Sequence, residues 1–374
     1  MAFEEFGSLV SGICAHASLV PGRPILWTII ANPQAGGFTI KSRWKKHHTH
    51  LSECVQRAIK KPLNDKSGPS QTALYEGGKS GLISTKARGH AREITDRVIK
   101  EASLAEDKGA AKPFYLIITA GGDGTSLEVL TGLYHAPPKV LENIAVLRLP
   151  MGTGNDGADG KDLGKALDLL IEPVTLSRQR TLKLSTKSGK GPFLAFNILS
   201  VGLDAFVTHM TNKLKGKMPG DSYKIWLDVA ALFYDVLYKV DYMDCRVFNE
   251  KGDELKAFRE KLLLLAVGES GHRTYGSNKL ILPDERNVCA IKQTSVFRKI
   301  ALKELFDTGT HIVEKEAMLW NAMAVEFSAL HPILAQMDGE TVLLDKNDFP
   351  ARIELTEPMI PFLKRTGWEL GTVN

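Results

Sequence analysis

The sequence has few cysteines and no long apolar run, and both absences restrict its class. The four cysteines, Cys14, Cys54, Cys245 and Cys289, are too far apart for a CxxC zinc motif or a dense disulfide framework, which favours a reducing compartment. No apolar stretch approaches the roughly 20 residues that a membrane-spanning helix needs. Acidic residues precede the first apolar stretch, unlike in a secretory signal. We therefore expect a cytoplasmic protein whose contact with membranes is peripheral.

A P-loop is also absent, because no GxxxxGK[ST] motif occurs in the chain.

Hydrophobic residues make up 43% and charged residues 24% of the 374 residues, as in globular proteins. This length exceeds one ordinary core, so we expect two domains. The net charge of +5 suits an anionic ligand or a membrane surface. It is weaker than a nucleic-acid-binding domain usually carries, so we expect no nucleic-acid partner.

Residues 1–23 read as an N-terminal extension. Its apolar residues Phe3, Phe6, Val10 and Ile13 recur at spacings of three and four, which predicts a short amphipathic helix. We expect this helix to lie on the protein body rather than to anchor a membrane.

Residues 24–176 alternate between strand and helix patterns, which predicts parallel βαβ units and a Rossmann-like nucleotide-binding α/β domain. The predicted strands are 25–31, 114–119 and 144–149, and the predicted helices are 41–59, 88–105 and 126–134. The helix at 41–59 is strongly basic, and the simplest interpretation of this charge is a face exposed to solvent. Residues 62–81 are rich in glycine, serine and proline and predict a loop.

Residues 177–355 predict a β-rich domain, an antiparallel β-sandwich-like fold with inserted helices. The predicted strands are 181–185, 193–199, 245–248, 262–267, 287–291, 324–328 and 352–355, and the predicted helices lie near 223–238 and 296–306.

Three glycine-rich turns follow the three predicted strands of the first domain. They comprise Asn32, Pro33, Gln34, Ala35, Gly36 and Gly37; Gly121, Gly122, Asp123, Gly124 and Thr125; and Gly152, Thr153, Gly154, Asn155 and Asp156. In an open parallel sheet such turns emerge together at the carboxyl edge, where ligands bind. Glycines let backbone N–H groups approach an anion, and a following helix adds its positive end. One such turn is weak support for function, but three in order predict a phosphate site.

Two acidic residues near the second turn allow different interpretations. Asp123 could bond to its own turn backbone, or it could face a phosphate site, where a bound cation or a proton-transfer role would compensate its charge. The placement of Asp123 beside an anion cradle favours the second interpretation. Glu128 lies three residues after Thr125 and fits a capping box, so we assign it a structural role.

These motifs resemble a known family. GGDGT at 121–125, GTGND at 152–156 and the NPQAGG that begins at Asn32 together look like the catalytic domain of diacylglycerol kinases and related sphingosine and bacterial lipid kinases. Thr85 with the GHA at 89–91, FNILSVGLDA at 196–205 and DGE at 338–340 extend the resemblance in the family's order. GGDGT alone also resembles NAD kinases, so the combination of motifs carries the specificity.

The resemblance implies an ATP-dependent lipid kinase with nucleotide and Mg²⁺ in a cleft between two domains. The nucleotide contacts it implies are Asn32, Pro33, Gln34, Ala35, Gly36, Thr85, Gly121, Gly122, Asp123, Gly124, Thr125, Ser126, Leu127, Gly152, Thr153, Gly154 and Asn155. Asp123 and Asp156 would hold Mg²⁺, and Asp284 would hold a structural metal. Glu340 would accept the proton of the lipid hydroxyl, a role that Asp123 could also fill. The tail at 356–374 would return to the first domain.

The sequence departs from the family pattern at two places beside the turns. Leu127 stands where the family usually has asparagine, and Gly157, Ala158, Asp159 and Gly160 replace a segment that normally reads Phe-Ala-Arg. In the second domain, a glycine-rich segment and a turn that bacterial members use for a structural Mg²⁺ are represented only by residues 275–277 and 282–287. The departures together affect the acceptor and the structural metal more than the ATP site.

Several alternatives stay open from the sequence. The acceptor could be diacylglycerol-like or sphingoid. The chain could instead be an NAD kinase-like small-molecule kinase or a nucleotide- or lipid-binding module without catalysis. We expect a lipid surface as partner, with Lys213, Lys215, Lys217 and the basic helix at 41–59 as the contacts, and a homodimer as the assembly to test.

Overall fold

The computed structural model describes residues 2–17, 19–60, 71–72, 80–106, 112–214, 234, 239–275 and 279–366. The chain divides into two compact units, one of residues 1–179 with 358–374 and one of residues 180–357. The predicted helix near 223–238, apart from residue 234, lies outside the described residues. So do most of the predicted loop at 62–81 and the last part of the tail.

The first unit contains one mixed sheet with helices. Its strands are β1 (Ile25–Ala31), β2 (Gln71–Thr72), β3 (Leu82–Ser84), β4 (Phe114–Gly121), β5 (Ile144–Pro150), β6 (Val174–Gln179) and the last strand (Ile360–Arg365). Their order is β2, β1, β4, β5, the last strand and β6, and β3 also pairs with β1. All pairs are parallel except the last strand with β6. β1, β4 and β5 are buried along their whole length, as parallel strands with both faces covered should be.

The first unit contains the helices predicted in 1–23 and at 41–59, 88–105 and 126–134, together with others that were not predicted. They are α1 (Ala2–Cys14), α2 (Gly36–Thr39), α3 (Lys41–Lys60), α4 (His90–Glu106), α5 (Asp123–Tyr134), α6 (Pro138–Leu141) and α7 (Leu163–Ile171). On α1 the buried face includes Phe6, Val10 and Ile13, which join the core of this unit. The prediction that the N-terminal helix lies on the body is therefore confirmed.

The second unit is built from antiparallel strands. They are β7 (Leu182–Thr186), β8 (Phe193–Ala195), β9 (Ile198–Gly202), β10 (Tyr242–Phe248), β11 (Glu254–Gly268), β12 (Arg273–Tyr275), β13 (Lys279–Leu282), β14 (Val288–Lys292), β15 (Ala317–Trp320), β16 (Ala324–Ala329), β17 (Ile333–Met337), β18 (Glu340–Leu344) and β19 (Ala351–Leu355). The 15-residue strand β11 pairs with β10 along its first part and with β9 and β14 along its second. The helices α8 (Leu203–Leu214) and α9 (Val296–Thr308) contribute apolar residues to one core cluster of this unit.

The predicted fold class is confirmed, an α/β unit with a parallel sheet and an antiparallel β unit with helices. Among the described elements, the helices not predicted from the sequence are α2, α6, α7 and α8, and the strands not predicted are β2, β3, β6, β12, β13, β15, β17, β18 and the last strand. β6 has an irregular burial pattern, so it lacks the alternation that marks a strand. The predicted strand at 193–199 is divided into β8 and β9, and α8 begins directly after Gly202, whose φ of +96° ends β9.

Candidate active site

The three glycine-rich turns meet at one edge of the first unit's sheet. β1, β4 and β5 are parallel neighbours, so the turns that follow them emerge side by side. The backbone joins them: Asn32 N donates to Ala120 O at 3.0 Å, and Gly37 N donates to Met151 O at 2.8 Å. Thr85 follows β3 and donates its N–H to Ala31 O at 2.8 Å, so it reaches the same edge. The predicted convergence of the turns is confirmed, while the ligand contacts of their residues stay predictions.

The first turn is closed by its own backbone and by Asn32. Gln34 N donates to Asn32 Oδ1 at 2.9 Å, and Ala35 N donates to Asn32 O at 3.0 Å. This is the local side-chain bonding that favours asparagine in turns. Asn32 thus shapes the turn and Gln34 is exposed on it.

The second and third turns touch through their backbones. A Cβ added to Gly152 would lie 2.5 Å from Gly122 Cα and 3.2 Å from Gly121 O. No side chain fits at that separation, so glycine is required here for close approach. Asn155, at φ +62°, closes the third turn: its Oδ1 accepts the Gly152 N–H at 2.7 Å and its Nδ2 donates to Gly152 O at 3.1 Å.

The second turn leads directly into α5, which begins at Asp123. Its N-cap is Gly122, which has no side chain to satisfy the first N–H groups. A Cβ added to Gly124 would meet nothing within 4 Å, so open space lies beside the first turn of the helix. The hydroxyl groups of Ser126 and Thr119 form a hydrogen bond of 3.0 Å, which joins α5 to β4. An uncapped helix N-terminus beside open space can receive an anion such as a phosphate.

Asp123 and Asp156 converge on the third turn. A Cβ at Gly154 would lie 2.9 Å from Asp123 Oδ2 and 3.4 Å from Asp156 Oδ2. The Asp123 carboxylate accepts the Gly157 N–H at 3.3 Å. Burial raises the pKa of Asp123, while backbone hydrogen bonds from Gly157 and Asn155 oppose that rise. Two carboxylates suit Mg²⁺ that takes its other ligands from phosphates and water. Among the described residues no group of three or more acidic, histidine or cysteine side chains could hold a metal alone.

A buried ion pair that was not predicted from the sequence lies beside Asp123, at the corner where the three glycine-rich turns meet. Arg148 Nη2 lies 2.6 Å from Asp159 Oδ1, and Arg148 N donates to Asp159 Oδ2 at 2.7 Å. The guanidinium lies 4.3 Å from the centre of the Phe362 ring on the last strand. A Cβ at Gly157 would lie 3.4 Å from Arg148 Nη1 and 3.9 Å from Asp123 Oδ1. Arg148 therefore lowers the pKa of Asp123 against the effect of burial.

A cation also lies beside the first and third turns. Arg43 Nη1 is 3.5 Å from Gly152 O, and it would be 2.9 Å from a Cβ at Gly36. From the sequence, the basic run of α3 is interpreted as a solvated face, because Arg43 cannot be distinguished there from the neighbouring basic residues. The structure makes Arg43 a further candidate for contact with phosphate.

Glu128 is structural, but its partner differs from the predicted one. Its carboxylate accepts the N–H groups of Gly89 at 2.7 Å and Ala91 at 3.1 Å. It therefore caps the N-terminus of α4 and not that of its own helix, α5. The capping-box prediction is wrong in this respect, because α5 already begins at Asp123 and Glu128 points to a neighbouring helix.

In the second unit, Asp338 and Gly339 form a two-residue hairpin turn between β17 and β18. Both have positive φ, 44° and 97°, as such hairpins require. The Asp338 carboxylate accepts the N–H groups of Phe196 at 2.5 Å, Asn197 at 3.1 Å and Ile198 at 2.9 Å. Asp338 is thus an anchor that fixes the start of β18, where Glu340 lies.

Helix α8 braces the same hairpin from its other side. Asn212 Nδ2 donates to Gly339 O at 2.8 Å, and His209 Nδ1 lies 3.2 Å from Thr341 Oγ1. Glu340 stands between these two contacts, half-buried at the first position of β18. The turn interpretation of this motif is correct for the backbone, and the role of Glu340 as a base stays a prediction.

Asp284 has an arginine partner. Arg286 Nη2 lies 2.5 Å from Asp284 Oδ2, and this hydrogen bond lowers the pKa of Asp284 below its ordinary value. A metal at Asp284 would have to compete with that guanidinium, so its assignment as a metal ligand stays a prediction without support from its neighbours.

Comparison with known proteins agrees with this geometry. Residues 26–186 match the family model of the diacylglycerol kinase catalytic domain. The "Probable lipid kinase YegS" of Salmonella arizonae is 27% identical over 227 residues, 60% of this chain and 71% of that protein. The "Probable lipid kinase YegS-like" of Yersinia pestis is 26% identical over 253 residues, 64% of this chain and 77% of that protein.

A solved structure from Bacillus anthracis has the same fold. It is described as a "putative diacylglycerol kinase", aligns with a TM-score of 0.56 at 17% identity, and covers 92% of this chain and 98% of its own. At this identity the likeness shows the fold alone. The match over residues 26–186 and these relatives show that the chain is similar to probable lipid kinases and to proteins with the diacylglycerol kinase catalytic domain.

Proposed function

We propose that the chain transfers the γ-phosphate of ATP to a hydroxyl group of a diacylglycerol-like or sphingoid lipid. The observation that carries this proposal is the corner of the first unit where three glycine-rich turns, the uncapped N-terminus of α5 and two carboxylates meet. Phosphoryl transfer depends mainly on positioning and charge neutralisation, and this corner offers both kinds of group.

Within this corner each group has a distinct task. The N–H groups at the start of α5 and the neighbouring glycine turns bind the phosphates, with the Arg43 guanidinium beside them. Asp123 and Asp156 would hold Mg²⁺, which neutralises phosphate charge when it is bound. Arg148, fixed by Asp159, lowers the pKa of Asp123 against the larger effect of burial, which raises it.

The acceptor hydroxyl needs a base, because a neutral alcohol is a poor nucleophile. We propose Glu340 for this role, since the anchoring of Asp338 by three backbone N–H groups and the contacts from α8 fix its place on β18. Asp123 is the alternative base, and its raised pKa brings it nearer to neutral pH.

We also propose that the protein works at a membrane surface as a peripheral, cytoplasmic enzyme. The exposed lysines Lys41, Lys45 and Lys46 on α3 and Lys213 on α8 support this, since each basic residue near an anionic surface gains about 1 kcal/mol. Lys215 and Lys217 lie outside the described residues. No helix in the described part of the chain is long and apolar enough to cross a bilayer.

Sedimentation with liposomes tests the membrane proposal. Binding should rise with the anionic lipid content and fall with salt, because screening weakens exposed charges. Binding that responds to neither variable contradicts it. A homodimer is the proposed assembly, and light scattering would measure the mass directly.

The function itself is tested with labelled ATP, Mg²⁺ and a total lipid extract in mixed micelles. We expect label in one lipid product, which chromatography would identify as a diacylglycerol-like or sphingoid phosphate. The same assay with NAD replacing lipid is the control for the small-molecule kinase alternative. Label in NAD, or binding of ATP without any transfer, would contradict the proposal.

A further inference from the structure

Aromatic rings of helix α1 contact Phe38, the residue that follows the first glycine-rich turn. The rings of Phe3 and Phe6 lie 5.3 Å and 5.1 Å from the ring of Phe38, at interplanar angles of 68° and 84°. These are edge-to-face contacts, a favourable geometry for aromatic pairs. Phe6 is fully buried and Phe38 is 9% exposed, so the contacts are part of the core. Helix α1 lies outside residues 26–186, which match the catalytic domain.

Phe38 transmits this contact to two of the three turns. It follows Gly36 and Gly37 directly, and its N–H donates to Ala35 O at 2.9 Å. Gly37 in turn donates to Met151 O at 2.8 Å, at the start of the third turn. A Cβ at Gly37 would lie 2.8 Å from Met151 Cε and 2.9 Å from Met151 O, so the two segments have no free space between them. A shift of the Phe38 ring would therefore move the first turn against the third.

A second contact joins α1 to α3, the helix that carries Arg43: Glu5 Oε1 lies 3.0 Å from His48 Nε2. The Trp44 ring of α3 also lies 6.4 Å from the Phe38 ring of α2. The N-terminal half of α1 thus contacts both α2, through Phe38, and α3. The buried residues of its C-terminal half, such as Ile13, lie about two helical turns away from Phe6.

We propose that α1 is a positioning element of the nucleotide site. Phe3 and Phe6 fix Phe38, and through it the first and third turns, in the arrangement that receives the phosphates. This inference rests on the proposed use of ATP. Displacements of about 1 Å can change reaction rates by about 100-fold, so a small movement of these turns has a measurable effect.

Phe3→Ala is the test variant, because Phe3 is only half-buried and its loss leaves the helix core in place. Loss of one aromatic pair should weaken binding of Mg–ADP by about three- to tenfold. Phe3→Tyr keeps the ring and should bind as the wild type does. Ile13→Ala is the matched control: it truncates a fully buried residue of the same helix, distant from Phe38. It should lower the melting temperature more than Phe3→Ala does and leave Mg–ADP affinity unchanged.

Isothermal titration calorimetry with Mg–ADP and thermal melts of the full-length chain measure the two effects separately. Weaker binding in Phe3→Ala, with normal binding in Phe3→Tyr and Ile13→Ala, supports the positioning role. Equal losses of affinity in Phe3→Ala and Ile13→Ala overturn it, because α1 would then act only through stability. Unchanged affinity in Phe3→Ala overturns it as well. A wild-type chain that binds no nucleotide overturns the proposed function itself, an outcome distinct from the other two.

Discussion

Replacing Gly152 with alanine tests whether the second and third turns need backbone contact. The added Cβ would lie 2.5 Å from Gly122 Cα, 2.9 Å from Asn155 Oδ1 and 3.2 Å from Gly121 O. Two of these three neighbours are backbone atoms, so no side-chain rotation relieves the clash. Forcing extra atoms into a tight site costs about 1–3 kcal/mol. For a domain of this size each kcal/mol lowers the melting temperature by about 2–4 °C, so we expect a decrease of about 2–12 °C.

Gly124→Ala is the matched control in the adjoining turn. Its Cβ would meet nothing within 4 Å, and the residue lies in the first turn of α5. Alanine favours a helix over glycine by up to about 1 kcal/mol, so the ligand-free protein should be as stable as wild type or slightly more so. If phosphates occupy the open space beside Gly124, the methyl group would reach them. Mg–ADP affinity should then fall by about 10- to 100-fold.

Thermal melts and nucleotide titrations of both variants distinguish the two effects. We expect Gly152→Ala to lose stability and Gly124→Ala to lose nucleotide affinity without losing stability. A Gly152→Ala protein that melts like the wild type would refute the close backbone contact. Wild-type affinity in Gly124→Ala would refute the placement of phosphates at the start of α5.

The other predictions concern charged groups. Asp123→Asn should reduce lipid phosphorylation by at least about 100-fold with little change in the melting temperature, because the residue lies in a turn; near-normal labelled-ATP transfer would exclude Asp123 from the mechanism. Glu340→Gln should lower kcat by about 10²- to 10⁴-fold and leave Mg–ADP affinity intact, and full activity at saturating ATP would show that the hairpin is only structural. Burial lowers the pKa of His47 to about 4 from 6.5, so the unfolded chain binds its proton first as the pH falls. Stability should therefore decline from pH 6.5 towards 4, and melts of His47→Gln should show a smaller decline than wild type.

Much of the first unit could be predicted because its signals are local. β1, β4 and β5 are continuous apolar runs, and α3 and α4 follow a helical period, so their bounds were close to those observed. The three turns could be found because glycines recur directly after each of three buried strands, and parallel strands bring such turns to one edge of the sheet. α8 was missed because β9 passes directly into it at Gly202, with no connecting segment that would mark a boundary in the sequence.

The residues singled out in the sequence motifs fall into two groups in the structure. Asp123, Gly124, Asp156 and the glycine turns meet at one corner, as the parallel order of strands requires. Glu128 and Asp338 instead bind backbone N–H groups of distant segments. An acidic residue has the same signature in sequence whether it caps a helix or acts on a ligand. Its partner therefore has to be read from the fold.

The sequence by itself determined the class of each unit, the three strands that carry the turns, and the residues of the turns. These follow from periodicity and from glycine, which act over a few neighbouring positions. Only the tertiary structure decided that the Arg148–Asp159 ion pair lies beside Asp123, that Arg43 lies beside Gly152, and that α1 packs against Phe38. Arg148 and Asp159 are 11 positions apart, Arg43 and Gly152 are 109 positions apart, and the α1 contact joins two separate helices. No local sequence pattern specifies partners at such distances. The partner is chosen by the packing of whole elements, which brings together side chains that the chain keeps apart.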